Sequence, residues 1–202
     1  MAVEAIIFDF GNVICSLDNN IFLRRIAEFT PKSFVELRRS VYEESRLPWL
    51  YETGEIDSRC FFEGIVELCD LKISEEEFIR AYTGIFTPIP ATFDLIKSLK
   101  PNYKLGLLSN TSEWDFEYGI KPIEVFDLFD AVSLSYEVKV MKPGAKIFED
   151  MLDKLGMEPG RCVFFDDIEE NAAGARRVGM AAFLYSGHQT LLAGLKSLGV
   201  EV

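Results

Sequence analysis

Six polar side chains stand where apolar runs stop. Asp9 closes the run AIIF, Ser109 and Asn110 follow KLGLL, Lys142 precedes a proline in VKVMKPGAKIF, and Asp166 and Asp167 close CVFF in CVFFDDIEENAAGARRVG. Each has an ordinary explanation when taken alone. An Asp at a strand end caps the next turn, Ser-Asn is common turn chemistry, and a Lys before Pro is usually a solvated loop charge. Brought to one edge of one sheet, they place carboxylates, a hydroxyl, an amide and an ammonium in a single cleft. Adjacent carboxylates such as Asp166 and Asp167 repel unless something positive neutralises them, and a divalent cation would do so. A carboxylate attacking a phosphate dianion meets the same repulsion. It requires a hard cation held by oxygen ligands and a lysine that offsets charge on the transferring group. Asp9 would then be a nucleophile forming an aspartyl-phosphate that water hydrolyses, with Ser109 and the backbone N–H groups after Asp9 holding the phosphoryl oxygens.

Positioning these groups requires strands, and short apolar runs predict them at Ala5 to Phe8, Lys104 to Leu108, Ala131 to Ser135, Cys162 to Phe165 and Ala181 to Tyr185. Between them lie helical patterns. Phe93, Ile96 and Leu99 repeat at three, while Ile147, Phe148, Met151, Leu152 and Leu155 repeat at three and four. Strands alternating with helices predict an α/β fold, a Rossmann-like core of three layers around a parallel β-sheet. One interval departs from that rhythm. Residues 16–88 carry few strand signals and read as helices at Asn20 to Phe29, Lys32 to Glu44, Ser58 to Leu68 and Glu75 to Thr83, with Asp57 and Ser74 as N-caps. The expected organisation is therefore a core of residues 1–15 and 89–202 with a small α-helical cap, 16–88, inserted after the first strand and closed by Pro88 and Pro90. Such an insertion leaves at the C-terminal edge of the sheet, where open parallel sheets bind ligands, and would lie over that crevice as a lid.

Composition narrows the partners. In 202 residues, 49% apolar and 27% charged, the formal net charge is −12, which argues against nucleic acid and membrane surfaces but not against a small phosphorylated metabolite held by a local cation. No stretch approaches the length of an apolar membrane span, the first residues read as a strand rather than a leader, and Cys15, Cys60, Cys69 and Cys162 read as free buried thiols. A cytoplasmic location is expected; oligomeric state is not legible. His188 reads as a loop or helix-start residue, and Trp49 and Tyr51 as packing between helices of the insertion.

The motifs FDFGNVI, LLSNT, KP and FFDDIEEN, in this order, resemble the haloacid dehalogenase superfamily of hydrolases with a helical cap of the C1 type. Within it they look most like the branch of the α-D-glucose-1-phosphate phosphatases and the phosphatase domain of soluble epoxide hydrolase. The resemblance implies a Mg²⁺-dependent phosphatase acting on a sugar phosphate such as α-D-glucose 1-phosphate. By position, it makes Asp9 nucleophile and metal ligand, the backbone carbonyl of Gly11 a second ligand and Asp167 a third. Asp166 is a further ligand or lies behind them. Ser109 binds the phosphoryl group, Asn110 orients it, Lys142 bridges it to Asp9, and Asn12 and Asn171 support the metal site.

Gly11 is the departure, because most phosphatases of that superfamily carry there a second Asp that protonates the leaving group. A leaving group that needs little protonation, such as an anomeric hydroxyl, is one explanation. A replacement acid is another, with Glu52 and Glu55 in YETGEID as candidates, although a polar turn before a helix is the more ordinary reading of each. A changed reaction is the third, since metal-independent 2-haloacid dehalogenases use the same Asp nucleophile and expel a halide that needs no proton. The Asp166-Asp167 pair favours the phosphatase, as metal-free chemistry has no use for it. A catalytically silent relative that binds a phosphometabolite is the non-enzyme reading, and Gly11 is its sole support.

Overall fold

The computed structural model describes residues 2–201. Its strands are β1 (Ala5–Phe8), β2 (Cys15–Leu17), β3 (Phe86–Pro88), β4 (Lys104–Ser109), β5 (Ala131–Leu134), β6 (Cys162–Asp166) and β7 (Ala181–Leu184). Five form one sheet in the order β5-β4-β1-β6-β7, with every pair parallel. The helices are α1 (Asn19–Ile26), α2 (Phe34–Arg38), α3 (Leu47–Glu52), α4 (Ser58–Cys69), α5 (Glu75–Thr83), α6 (Pro90–Leu99), α7 (Ser135–Val138), α8 (Ala145–Leu155), α9 (Glu169–Arg177) and α10 (His188–Ser197).

The central strand shows why a continuous apolar run suits this sheet. Side chains alternate between faces, so Ile6 and Phe8 join one core with Phe93, Ile96, Leu99, Leu191 and Leu195 of α6 and α10. Ala5 and Ile7 join the other, with Ile147, Phe148, Met151, Ala172 and Ala175 of α8 and α9. Helices on both faces of a parallel sheet make the Rossmann-like three-layer α/β fold. Two ends of strands differ from expectation in a way that matters for the site. Ser109 and Asp166 are the last paired residues of β4 and β6 rather than the first loop residues, so ladder hydrogen bonds fix their backbones. At two other ends the strand stops a residue earlier than expected: Ser135 opens α7, and Tyr185 lies beyond β7.

Between β1 and β4 the chain builds a separate helical unit, α1 to α5, around its own apolar core of Phe22, Ile26, Leu37, Val41, Tyr51, Phe61, Ile65 and Phe78. Antiparallel β2 and β3 tie its entry to its exit, a ribbon that the sequence reading missed because each strand has only three residues. The helices are more broken than periodicity suggests. The stretch expected to run to Phe29 ends at Ile26 and tightens into a 3-10 turn, while Lys32 to Glu44 divides into α2 and a π-helical stretch, Arg39–Glu44. Helix α3 was not anticipated at all. The N-caps are as expected, since Asp57 accepts from the Cys60 N–H at 2.7 Å and Ser74 forms a capping box with Glu77. Two side-chain expectations need correction. Cys60 is exposed, because it lies on the outer face of α4, although Cys15, Cys69 and Cys162 are buried and all four thiols are free. Trp49 is exposed beneath the Arg46 guanidinium, whereas Tyr51 packs against Phe61 with ring centroids 4.4 Å apart. His188 is the first residue of α10. No helix among the described residues is long and apolar enough to cross a membrane.

Candidate active site

The C-terminal ends of β1, β4 and β6 converge with the loop before Pro143. At their meeting point Lys142 Nζ donates to Asp9 Oδ1 at 2.6 Å and to Asp166 Oδ2 at 2.7 Å, and all three side chains are buried. Lys142 is held there by its own backbone: its N–H donates to Asn110 Oδ1 at 2.7 Å and its carbonyl accepts from Asn110 Nδ2 at 3.2 Å. In this geometry Asn110 clamps the lysine loop to the end of β4. Burial pushes the Asp9 carboxyl up to about 7 against the opposing charge of Lys142. Burial also disfavours the Lys142 ammonium, but Asp9 and Asp166 together outweigh it and leave the lysine raised above its ordinary value.

Asp166 is fully buried and its remaining acceptor capacity is used. Its Oδ1 accepts from the Ile168 N–H at 2.8 Å and from Asn171 Nδ2 at 3.0 Å. Asn171, on the first turn of α9, therefore orients Asp166 and not the neighbouring Asp167. Asp167 is half-buried, and its Oδ2 accepts from Asn12 Nδ2 at 2.8 Å. Asn12 suits that task for two reasons. Its φ of 57° is the left-handed conformation that Asn tolerates better than most residues, and its Oδ1 accepts from the Leu17 N–H at 3.2 Å. One amide thus fixes the loop after Asp9 and reaches across to the β6 end.

Carboxylate oxygens of Asp9, Asp166 and Asp167 lie within 4.8 Å of one another. Three carboxylates face one ammonium here, and every candidate donor is an oxygen, so the residues fit a hard divalent cation such as Mg²⁺.

A cavity opens beside this cluster, floored by Gly11, Ser109 and Asn110 and roofed by residues of the helical unit. Glu52 lines it. Glu55 does not; it is exposed in a separate groove beside Gly54 and Lys139. Nothing crowds Gly11, where a Cβ would meet only Leu17 Cδ2, at 3.7 Å. Asp115, which sequence reasoning overlooked, lines the same cavity and is buried. Its Oδ2 accepts from Ser112 Oγ at 3.0 Å, while its Oδ1 has no partner. The pair Ser112 and Asp115 has the spacing of a helix N-terminal capping pair, the signal that could have drawn attention to it. Burial pushes Glu52 up to about 7, and it does the same to Asp115, opposed by the Ser112 and Tyr82 hydroxyls and helped by the charge of Glu52.

The junction that carries Glu52 and Asp115 to one cavity is polar and well tied. The Trp114 N–H donates to Tyr51 Oη at 3.0 Å, Ser135 Oγ donates to the Glu52 carbonyl at 2.6 Å, and Lys139 Nζ donates to the Gly54 carbonyl at 2.7 Å. These bonds join the end of α3 to the loop after β4 and to α7.

A parallel sheet of this order, with carboxylates from two strands and a lysine meeting at its C-terminal edge, is a Rossmann-like α/β core with a charged ligand-binding edge. The model of the haloacid dehalogenase-like hydrolases matches residues 3–179, and the chain belongs to that family. Among its relatives, a D-ribitol-5-phosphate phosphatase of Bacteroides thetaiotaomicron is 26% identical, with 90% of this chain and 91% of the relative covered. A phosphorylated carbohydrates phosphatase of Thermotoga maritima is 27% identical over 88% of this chain and 82% of the relative. In three dimensions the chain is similar to a family enzyme of Bacteroides thetaiotaomicron solved with magnesium and inorganic phosphate, at a TM-score of 0.81, 22% identity and coverage of 95% and 99%.

Proposed function

We propose that this hydrolase is a Mg²⁺-dependent phosphatase of a small sugar or polyol phosphate, working through an aspartyl-phosphate on Asp9. The chain is an enzyme of the phosphoric monoester hydrolase class, and the names of its relatives support that class. The observation that carries the reading is the contact of Lys142 with both Asp9 and Asp166, next to Asp167. A lysine buried among carboxylates at a cleft is what a carboxylate nucleophile requires when its target is itself a dianion.

An oxygen of Asp9 attacks phosphorus, the bond to the leaving oxygen breaks, and water later cleaves the acyl phosphate to release inorganic phosphate and restore the carboxylate. Lys142 offsets charge on the phosphoryl oxygens while keeping Asp9 aimed. Ser109 Oγ donates to a phosphoryl oxygen, and Asn110 fixes the lysine loop. Mg²⁺ held by Asp9, Asp167 and the Gly11 carbonyl, with Asp166 behind them, would supply the positive charge that lets a carboxylate approach a phosphate. Residues α1 to α5 act as a cap that encloses the substrate. With Gly11 bringing no proton, the best substrate has a leaving group of low basicity, and α-D-glucose 1-phosphate is the first of that kind to assay.

The test is phosphate release from sugar phosphates and p-nitrophenyl phosphate with Mg²⁺ and with EDTA, beside halide release from 2-chloropropionate. Phosphate release that EDTA stops is the expected result. Halide release without metal would replace the phosphatase by a dehalogenase, and no turnover in either assay would make the chain a binding protein.

A further inference from the structure

We infer that Glu52 and Asp115 form a leaving-group subsite, which binds the hydroxyl groups of a neutral, polyhydroxylated leaving group and rejects one that carries a second anionic charge. This rests on the phosphatase reading, since it divides the cavity into a phosphoryl end and a leaving-group end. The phosphoryl end is the floor of Gly11, Ser109 and Asn110. Glu52, from the helical unit, and Asp115, from the core, line the rest of the same cavity.

The case begins with an acceptor that the protein leaves unused. Asp115 is 7% exposed, and its Oδ1 makes no hydrogen bond, although a buried carboxylate oxygen without a partner costs stability. A ligand donor at that oxygen would satisfy it. Glu52 lines the same cavity, so a second acidic group faces the space onto which Asp115 opens. No residue lining this cavity is a Lys, Arg or His. A carboxylate or second phosphate on the leaving group would therefore meet two acids and no counter-charge, and like-charge juxtaposition in a buried site is strongly unfavourable. Hydroxyl groups are the complementary chemistry. They donate to carboxylate oxygens, and above the value of about 7 to which burial raises both groups the two acids are ionised and repel a second anion. Tyr42 and Tyr82 add hydroxyls to the wall.

The position is fixed rather than incidental. Glu52 ends α3 where its own carbonyl accepts from Ser135 Oγ, and Asp115 follows the Trp114 N–H that donates to Tyr51 Oη. Both acids are thereby mounted on the seam between helical unit and core.

A matched pair of substrates tests the subsite. Sorbitol 6-phosphate and 6-phosphogluconate share a linear polyhydroxylated chain and differ at the far end, where one has a hydroxymethyl group and the other a carboxylate. At pH 8, where both acids are ionised, wild-type protein should favour sorbitol 6-phosphate by about tenfold or more in kcat/KM, a modest share of what an unpaired like charge costs. Glu52→Gln and Asp115→Asn should each narrow that ratio by about threefold or more by removing one negative charge while keeping shape. Two variants are used because Asp115 is the more buried, and the wild-type ratio alone already decides whether a second anion is rejected. Equal use of the two substrates by wild type, or a ratio that neither amide variant changes, would overturn the subsite. Wild-type release of phosphate from p-nitrophenyl phosphate separates the two levels: turnover without discrimination removes the subsite alone, while absence of phosphate release from all three compounds removes the phosphatase and the subsite with it.

Discussion

Lys142 Nζ lies 2.6 Å from Asp9 Oδ1 although 133 residues separate them in sequence. The same nitrogen reaches Asp166 at 2.7 Å, so one ammonium holds together the ends of two neighbouring strands. Lys142→Met leaves two buried carboxylates facing each other without a cation. Breaking a buried pair in this way costs on the order of 3 to 5 kcal/mol. The expected outcome is a large fall in thermal midpoint together with a loss of at least about 100-fold in phosphate release, as for removal of a major electrostatic stabiliser. Adding Asp166→Asn should restore part of the midpoint and none of the activity. Recovery of activity in the double variant would contradict the role given to Lys142.

Gly11 offers a second test because the space for a side chain exists. A Cβ there would meet Leu17 Cδ2 at an ordinary 3.7 Å, so Gly11→Asp should fold with little change in midpoint. If the missing acid limits the chemistry, the variant should accelerate alkyl phosphates by about tenfold while changing p-nitrophenyl phosphate, whose leaving group needs no proton, by about twofold or less. Equal effects on both would mean that protonation of the leaving group is not what Gly11 withholds.

Asp115 makes stability depend on pH in a defined direction. Burial raises its carboxyl from 3.8 to about 7, so between those values the folded state holds a proton that the unfolded chain has lost. Stability attributable to this group therefore falls as pH rises through that window and levels above about 7, by an amount on the order of 4 kcal/mol. Asp115→Asn removes the dependence. Its midpoint relative to wild type should rise between pH 5 and pH 8, a comparison in which the titration of Asp9 cancels. A difference that stays constant over this range would contradict a raised Asp115.

The meeting of polar side chains at one sheet edge was legible because each of these residues interrupts an apolar run. Asp9, Asp166 and Lys142 are charges at places where a strand or its loop should remain apolar or turn, and a parallel sheet brings such places together whatever their distance in sequence. The helical character of the stretch between β2 and β3 was legible for a related reason, since it lacks the short apolar runs that sheet strands require. What escaped was set by tertiary contact. The ribbon of β2 and β3 is too short to show a period, and the π-helical stretch after α2 has no residue that marks it. Asp115 escaped because it opens a short π-helical stretch, Asp115–Ile120, and closes no apolar run. Only the approach of α3 makes that residue a wall of the cavity, and it likewise distinguishes Glu52 from Glu55, two acids that the sequence leaves equivalent.

The central claim is that Asp9 becomes phosphorylated, and the most direct measurement is to quench the enzyme with acid during turnover of a sugar phosphate and determine by peptide mass which residue carries the phosphoryl group. The account predicts one phosphoryl group on the peptide containing Asp9, present with Mg²⁺, absent with EDTA and absent in Asp9→Asn, which should fold normally and release no phosphate. Sustained turnover by Asp9→Asn, or a phosphoryl group trapped on any other residue, would contradict it.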